Sequence, residues 1–194
     1  MFWFWCVGLM CCILRIHLGF TEESIAWLQP VLGKWIEFNG EGMGSLSQEF
    51  YYALVTMHGT ILVFFVLTAG LSGTFSNLLI PLMIGARDMA SPLLNMMSYW
   101  FFFLAGMVMF FSLFLSTGPF SGGWTAYPPL SLLPEDSAGA GAGMTMWTLS
   151  LVLFVVSVLL GGINYITTVL NLRTKGMTMW RMPLPIWAFF ITAI

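Results

Sequence analysis

The sequence predicts an all-α fold, a polytopic transmembrane helix bundle, and two observations support this prediction. Apolar residues make up 59% of the 194-residue chain and charged residues only 7%, which leaves too little polar surface for a water-soluble domain. The apolar residues form long runs separated by turn and charge signals, without strand-like alternation. Most of these runs approach or exceed the roughly 20 residues that a helix needs to cross a bilayer.

Five apolar segments define the predicted helices, at about residues 1–19, 51–73, 97–117, 146–170 and 183–194. The first segment lacks the basic region that precedes the apolar part of a signal peptide. The last corresponds to about 18 Å of helix, against a bilayer core of about 30 Å, and it has no cap or interfacial anchor. We therefore expect residues 1–194 to form one membrane domain that is part of a longer bundle.

Charged residues divide the predicted connections into two groups. Residues 20–50 and 118–145 carry seven acidic residues and a single basic one, whereas residues 74–96 and 171–182 carry four basic residues and a single acidic one. Basic residues favour the cytoplasmic side during membrane insertion. Residues 74–96 and 171–182 are therefore expected inside, and residues 20–50 and 118–145 outside.

His58 makes the second segment unusual, because no other side chain in it titrates near neutral pH. An imidazole in hydrocarbon costs a few kcal/mol unless a partner satisfies it, so a histidine inside a membrane indicates a functional site. Histidine nitrogens are common ligands of metal ions and haem iron. The segment therefore predicts a haem or metal ligand or, in a haem-free transporter, a proton-relay group.

Asp88 lies in the inner connection together with Asn77 and Asn95, and Ser98 follows one turn into the next segment. A carboxylate with amides and a hydroxyl at the mouth of a bundle can order waters into a proton-conducting chain. The commoner alternative is a loop carboxylate that pairs with Arg87 or caps a helix. Spacing alone favours this structural alternative.

Ser157 and Asn164 lie seven residues apart on the fourth segment, so they share one helix face. They can extend such a proton-conducting chain or form hydrogen bonds across helices, and spacing does not decide between the two roles.

Two residues near the outer surface are candidates for binding a cofactor. Arg15 ends the first segment and either reaches the lipid headgroups or binds a polar group of a buried cofactor. Trp124 lies in a turn rich in glycine and proline, where it belongs to an aromatic belt or donates to a cofactor carboxylate. The chain has no phosphate-binding loop or Ser-His-Asp arrangement, and its net charge of −2 argues against a nucleic-acid partner.

Three stretches of the chain, residues 58–102, 123–131 and 159–194, closely resemble subunit I of the haem-copper oxidases. They begin with HGTILVFF, GWTAYPPLS and LLGGINYITT, and the likeness is greatest to oxidases of the aa3 type. The resemblance implies a subunit of about twelve helices, of which this chain covers the first five, the fifth incompletely. It also implies a multi-pass protein of a bacterial plasma membrane or the mitochondrial inner membrane.

The resemblance implies a role for each candidate residue. His58 matches the ligand of the low-spin haem iron, Arg15 the arginine at the formyl group of that haem, and Tyr51 and Trp124 residues near its propionates. Asp88 matches the acid at the entrance of the D proton channel. The polar residues that line this channel match Asn77, Asn95, Ser98, Ser157 and Asn164.

The implied activity is reduction of oxygen to water coupled to proton pumping. The implied cofactors are a low-spin haem, haem a or alternatively haem b, and in the complete subunit a high-spin haem and copper B, whose ligands are absent from this chain. The implied partners are subunit II with its copper A centre, subunit III, membrane lipid and the electron donor, with a respiratory supercomplex as a further possibility.

Four positions bear on the electron donor. Relatives that oxidise quinol carry polar or charged residues where this chain has Cys6, Met10, Phe50 and Ala53. This difference favours cytochrome c, or a complex that carries a cytochrome, over quinol. A quinol oxidase, a nitric oxide reductase, a haem-free transporter and a structural remnant are the alternatives.

Overall fold

The computed structural model describes residues 8–9, 12, 30, 36–38, 44–132 and 140–194. The predicted first helix, residues 1–19, falls almost entirely outside these ranges, and Arg15, Cys6 and Met10 lie outside them. The described elements are β1 (Ile36–Phe38), β2 (Gly44–Leu46), α1 (Gln48–Ile84), α2 (Pro92–Phe111), α3 (Ala142–Asn171) and α4 (Leu184–Ala193). Short 3₁₀ turns follow α2 at Ser112–Phe114 and precede α4 at Met179–Arg181.

The predicted fold class, a bundle of membrane helices, is confirmed. Among the described residues, three helices are long and apolar enough to cross a membrane: Gln48–Ile84, Pro92–Phe114 and Ala142–Asn171. At most 33% of the most apolar stretch of each is buried inside the chain. The remaining apolar surface requires lipid or other apolar protein around it, as expected of a membrane protein.

A two-stranded hairpin was not predicted. β1 and β2 pair antiparallel, with Ile36 opposite Leu46 and Phe38 opposite Gly44. Strands of three residues are too short for an alternating pattern to stand out.

The second helix is longer than predicted. Glycine and serine at residues 70–73 read as a turn, yet α1 continues to Ile84 and takes up about half of the predicted connection 74–96. It starts after Ser47, whose hydroxyl accepts a hydrogen bond from the Phe50 N–H at 3.4 Å. It ends at Gly85, whose φ of +73° is a left-handed conformation that favours glycine.

The middle of α1, Ile61–Leu71, is π-helical. The Thr68 hydroxyl donates to the Val63 carbonyl five residues earlier at 2.8 Å, in keeping with the wider turn. A Cβ on Gly70 would lie 2.8 Å from the Phe65 carbonyl oxygen, so this turn requires glycine. Such segments occur frequently at functional sites, and this one begins three residues after His58.

The described residues form two compact units. One draws on the ranges 1–62 and 108–148, and the other on 63–107 and 149–194. The first unit contains His58, Tyr51 and Trp124, and its fully buried side chains include Leu54, Met57, Met109 and Phe120. The second unit contains all of the candidate proton-channel residues. Its core is formed by Ile80, Ile84, Val169, Met182 and Ile186.

Replacing Gly143 with alanine is expected to destabilise the first unit. The added Cβ would lie 2.6 Å from the Gly118 carbonyl oxygen and 3.0 Å from the Phe120 nitrogen, and backbone atoms cannot move aside cheaply. Overpacking of this kind costs about 1–3 kcal/mol of unfolding free energy. A thermal melt of the purified membrane protein measures this loss.

The matched control is Gly106→Ala on α2, where the nearest atom, on the Phe65 ring, would lie at an ordinary 3.9 Å. This variant should be neutral or slightly stabilising, because alanine favours a helix over glycine by about 1 kcal/mol. Equal melting temperatures for the two variants would contradict the prediction.

Candidate functional site

His58 lies in the last turn of the first α-helical part of α1 and is half-buried. The adjacent face of the helix carries Phe50, Leu54 and Met57, each at most 2% exposed. His58 therefore sits at the edge of the packed face and not inside it. No hydrogen bond joins its ring to a residue in the described ranges. The imidazole nitrogens are thus available to a ligand.

Tyr51 and Val55 share the helix face of His58. Tyr51 precedes His58 by seven residues, which is two turns or about 10 Å along the helix. Val55, between them, is 50% exposed, and Tyr51 is half-buried. This face therefore presents an apolar surface and one imidazole that has no hydrogen-bond partner among the described residues.

A turn carrying Trp124 packs against the same helix. The Gly123 N–H donates to the Thr56 hydroxyl at 3.0 Å, and the Trp124 ring carbon Cδ1 lies 3.8 Å from where a Cβ on Gly59 would be. Trp124 thus lies beside the residue that follows His58. The structure therefore places Trp124, in the loop, next to the turn of α1 that carries His58. Both residues were predicted to contact a cofactor.

Threonines anchor this part of α1 to its surroundings. The indole N–H of Trp147 on α3 donates to the Thr60 hydroxyl at 3.1 Å, and that hydroxyl donates to the Thr56 carbonyl at 2.8 Å. Both threonines are buried. These bonds hold α1 on either side of His58.

Asp88 lies in the second unit and is exposed. Its Oδ1 accepts a hydrogen bond from the Met89 N–H at 2.7 Å. Within the part of the chain that the structure describes, it forms no ion pair with Arg87 or any other base. The pairing with Arg87 that the sequence left open is therefore not found there.

Side chains of α3 hold the segment that leads from Asp88 into α2. The Ala90 N–H donates to the Thr168 hydroxyl at 2.9 Å, and the Ser91 N–H donates to Asn164 Oδ1 at 2.9 Å. Asn164 and Thr168 are fully buried and lie one turn apart. The position of the segment that follows Asp88 is consequently determined by α3.

Asn164 also has an unused donor. Because its Oδ1 accepts the Ser91 N–H, the amide orientation is defined, and its buried Nδ2 finds no partner in the described structure. Asn77 shows the complementary case. Its Nδ2 donates to the Gly73 carbonyl at 2.7 Å, which leaves its Oδ1 as a buried acceptor without a partner. Unpaired buried groups of this kind commonly bind water.

The remaining candidates lie where α2 and α3 meet. The Ser157 hydroxyl donates to the Ser98 carbonyl at 2.6 Å. Asn95 is half-buried in the first turn of α2, where its backbone N–H donates to the Ser91 carbonyl. All six candidate channel residues therefore belong to one unit.

Sequence reasoning missed two polar residues in this unit, Thr168 and Tyr165. Thr168 could have been found by its spacing, since it follows Asn164 by four residues and so lies on the same face. The phenol oxygen of Tyr165 accepts a second hydrogen bond from Asn77 Nδ2 at 3.1 Å. Tyr165 adjoins Asn164 and points about 100° away from it on the helix, so the seven-residue spacing of Ser157 and Asn164 did not select it.

Replacing Thr168 with valine should loosen the segment after Asp88, because the Ala90 N–H would lose its acceptor at a partly buried position. An unsatisfied donor costs about 1–3 kcal/mol. Hydrogen exchange at the Ala90 amide should accelerate, and a thermal melt should show the lost stability.

Thr167→Val is the matched control for this experiment, because the Thr167 hydroxyl bonds only to the Ile163 carbonyl of its own helix. Exchange at Ala90 should be unchanged in this variant. Equal exchange in both variants would show that Thr168 does not hold the segment.

These features define a multi-pass membrane protein. Its first unit contains a half-buried histidine that has no hydrogen-bond partner among the described residues, and its second unit contains a polar, partly unsatisfied cluster. The chain belongs to the family described as cytochrome c and quinol oxidase polypeptide I, whose model matches residues 1–194. The resemblance to subunit I of the haem-copper oxidases is thereby confirmed.

Curated relatives agree with this family. A Bradyrhizobium diazoefficiens protein named "Alternative cytochrome c oxidase subunit 1" is 45% identical over 185 residues, which cover 94% of this chain and 31% of the relative. A Nocardia farcinica protein named "Probable cytochrome c oxidase subunit 1-beta" is 47% identical over 154 residues, 79% of this chain and 25% of the relative. The chain thus spans about a third or less of the length of these relatives.

Proposed function

We propose that this chain is part of the catalytic subunit of a terminal respiratory oxidase, which reduces oxygen to water and pumps protons. The observation that carries the proposal is His58, a half-buried imidazole in a membrane helix whose nitrogens bond to no described residue. An unpartnered histidine at such a place is costly unless it binds something.

A low-spin haem, haem a or alternatively haem b, fits the face around His58. The imidazole would ligate the iron, the exposed Val55 would pack against the porphyrin, and Tyr51 and Trp124 would face its polar edge. The bound haem supplies one-electron transfer at a potential that its ligands and neighbours set. Arg15 is proposed for the formyl group from the resemblance alone. The complete subunit is expected to hold the high-spin haem and copper B.

Asp88 is proposed as the entrance of a proton path through the second unit. It is exposed and forms no ion pair with the described residues, so its carboxylate is accessible to water. Asn77, Asn95, Ser98, Ser157 and Asn164 would continue the path inward. The unpaired Asn77 Oδ1 and Asn164 Nδ2 support this role, because an acceptor and a donor without partners are suited to hold waters between them.

The charge distribution supports a direction for this path. With residues 74–96 and 171–182 inside, Asp88 takes protons from the cytoplasmic or matrix side, and His58 lies toward the outer side. Electrons that arrive from outside and protons that arrive from inside then move charge across the membrane. Each charge moved against 100 mV stores about 2.3 kcal/mol.

Partner subunits follow from the same proposal. Subunits II and III would cover part of the exposed apolar surface of the three long helices, and lipid would cover the rest. Cytochrome c, or a complex that carries a cytochrome, is proposed as donor, since Phe50 and Ala53 are apolar and buried where quinol-oxidising relatives carry polar residues.

A reduced-minus-oxidised spectrum of the purified complete subunit tests the proposal against its rival, a haem-free transporter. A low-spin haem band, together with oxygen consumption on addition of reduced cytochrome c, is the expected result. A protein that folds in the membrane without any haem band would refute the oxidase assignment and favour a proton-relay role for His58.

A further inference from the structure

We infer that the hydroxyl of Tyr165 orients water in the proton path, between Asn77 and Ser98. The inference rests on the proposed function, since it adds a positioning residue to the path that starts at Asp88. It concerns a residue that the sequence pattern did not select.

The hydrogen bonds of Asn77 define whether the Tyr165 hydroxyl donates or accepts. A backbone carbonyl can only accept, so the 2.7 Å bond to the Gly73 oxygen identifies Nδ2 as the atom that faces it. The same Nδ2 donates to the Tyr165 oxygen at 3.1 Å. The phenol oxygen is therefore an acceptor toward Asn77, and its own hydrogen is left to donate elsewhere. No described residue accepts that hydrogen.

Glycines leave room for water beside this hydroxyl. A Cβ on Gly73 would lie 3.9 Å from the phenol oxygen, and one on Gly161 would lie 3.7 Å from it. The same Cβ on Gly161 would lie 3.7 Å from the Ser98 hydroxyl. The two hydroxyls are thus at most twice that distance apart, and both lie next to the position that a Cβ on Gly161 would take. A water next to Gly161 can accept from one hydroxyl and bond to the other.

The unpaired amide atoms give such waters further partners. The Asn77 Oδ1 is an acceptor beside the tyrosine, and the Ser157 hydroxyl continues the line beyond Ser98 through its bond to the Ser98 carbonyl. A buried water is held when it finds two to four polar partners. Tyr165 thus supplies a donor between Asn77 on α1 and Ser98 on α2.

Tyr165→Phe in the assembled oxidase tests the inference, because it removes only the oxygen. Turnover should fall about threefold or more, and the ratio of rates in H₂O and D₂O should rise, because proton delivery becomes slower. The haem spectrum and the KM for the reductant should be unchanged. The matched control is Tyr99→Phe, at a tyrosine of α2 that is 59% exposed; its turnover and isotope ratio should equal those of the parent.

Gly161→Ala is a second, independent variant. Its methyl group would take the space between the two hydroxyls at ordinary contact distances, so the fold should be retained while the water is displaced. Turnover should fall as in Tyr165→Phe, whereas Gly106→Ala should not change it. Normal turnover and a normal isotope ratio in both test variants would overturn the inference.

Asp88→Asn, measured in the same preparation, distinguishes a failure of the inference about Tyr165 from a failure of the proposed proton path. If Asp88→Asn slows turnover and Tyr165→Phe does not, the role of Tyr165 is refuted and the proton path stands. If neither variant slows turnover, the proposed path itself is wrong, and the inference falls with it.

Discussion

On the proposed function, replacing His58 with alanine is expected to abolish incorporation of a low-spin haem into the assembled oxidase. The methyl side chain of alanine cannot ligate iron. No other described residue on this helix face has a side-chain nitrogen that could replace the imidazole. Electron transfer from cytochrome c should be lost with the haem. The reduced-minus-oxidised spectrum and the haem content per subunit measure the effect directly.

His17→Ala is the control for this experiment, since it removes the second of the two histidines in the chain. Its haem content should equal that of the parent. The abundance of each variant in the membrane must be measured as well, so that loss of haem is distinguished from loss of protein. A normal low-spin band in His58→Ala would refute the haem assignment.

Replacing Asp88 with asparagine is expected to slow turnover at least about tenfold, equivalent to about 1.4 kcal/mol in the activation barrier. Asparagine keeps an oxygen that can accept from the Met89 N–H, so the local turn is preserved while the titratable group is lost. Proton pumping, measured as acidification outside reconstituted vesicles, should decline at least as much as turnover does.

Arg87→Gln provides the matched control, because it removes a charge from the neighbouring exposed position. If Asp88 acted only through a pairing with Arg87, the two variants would behave alike. Turnover and pumping should instead remain normal in Arg87→Gln. Unchanged pumping in Asp88→Asn would remove Asp88 from the path.

The membrane class and the long apolar helices could be predicted because composition and length dominate in a bilayer. Helix ends were harder. The glycines at 70 and 73 resemble a turn signal, but in hydrocarbon a helix that stops leaves backbone groups unpaired, so α1 continues to Gly85. The hairpin at residues 36–46 was missed because its strands are too short to show a pattern.

The residues of the candidate sites differ in how far the sequence alone could predict them. His58 could be selected from its chemistry alone, because a single imidazole in an apolar segment is costly unless it binds a partner. Asn164 was selected by its position on the helix, but its bond to the Ser91 N–H is tertiary, and no pattern along one helix contains it. Tyr165 was overlooked for the same reason, because its partner Asn77 lies on another helix.

The bonds from Asn164 and Thr168 to the segment after Asp88 have a practical consequence for protein engineering. A graft of residues 85–91 into another helical scaffold would transfer the carboxylate but not its location, because two amides of that segment are held by side chains that come more than seventy residues later. A graft that is meant to reproduce the position of Asp88 would therefore need both stretches, joined in the register that this protein uses.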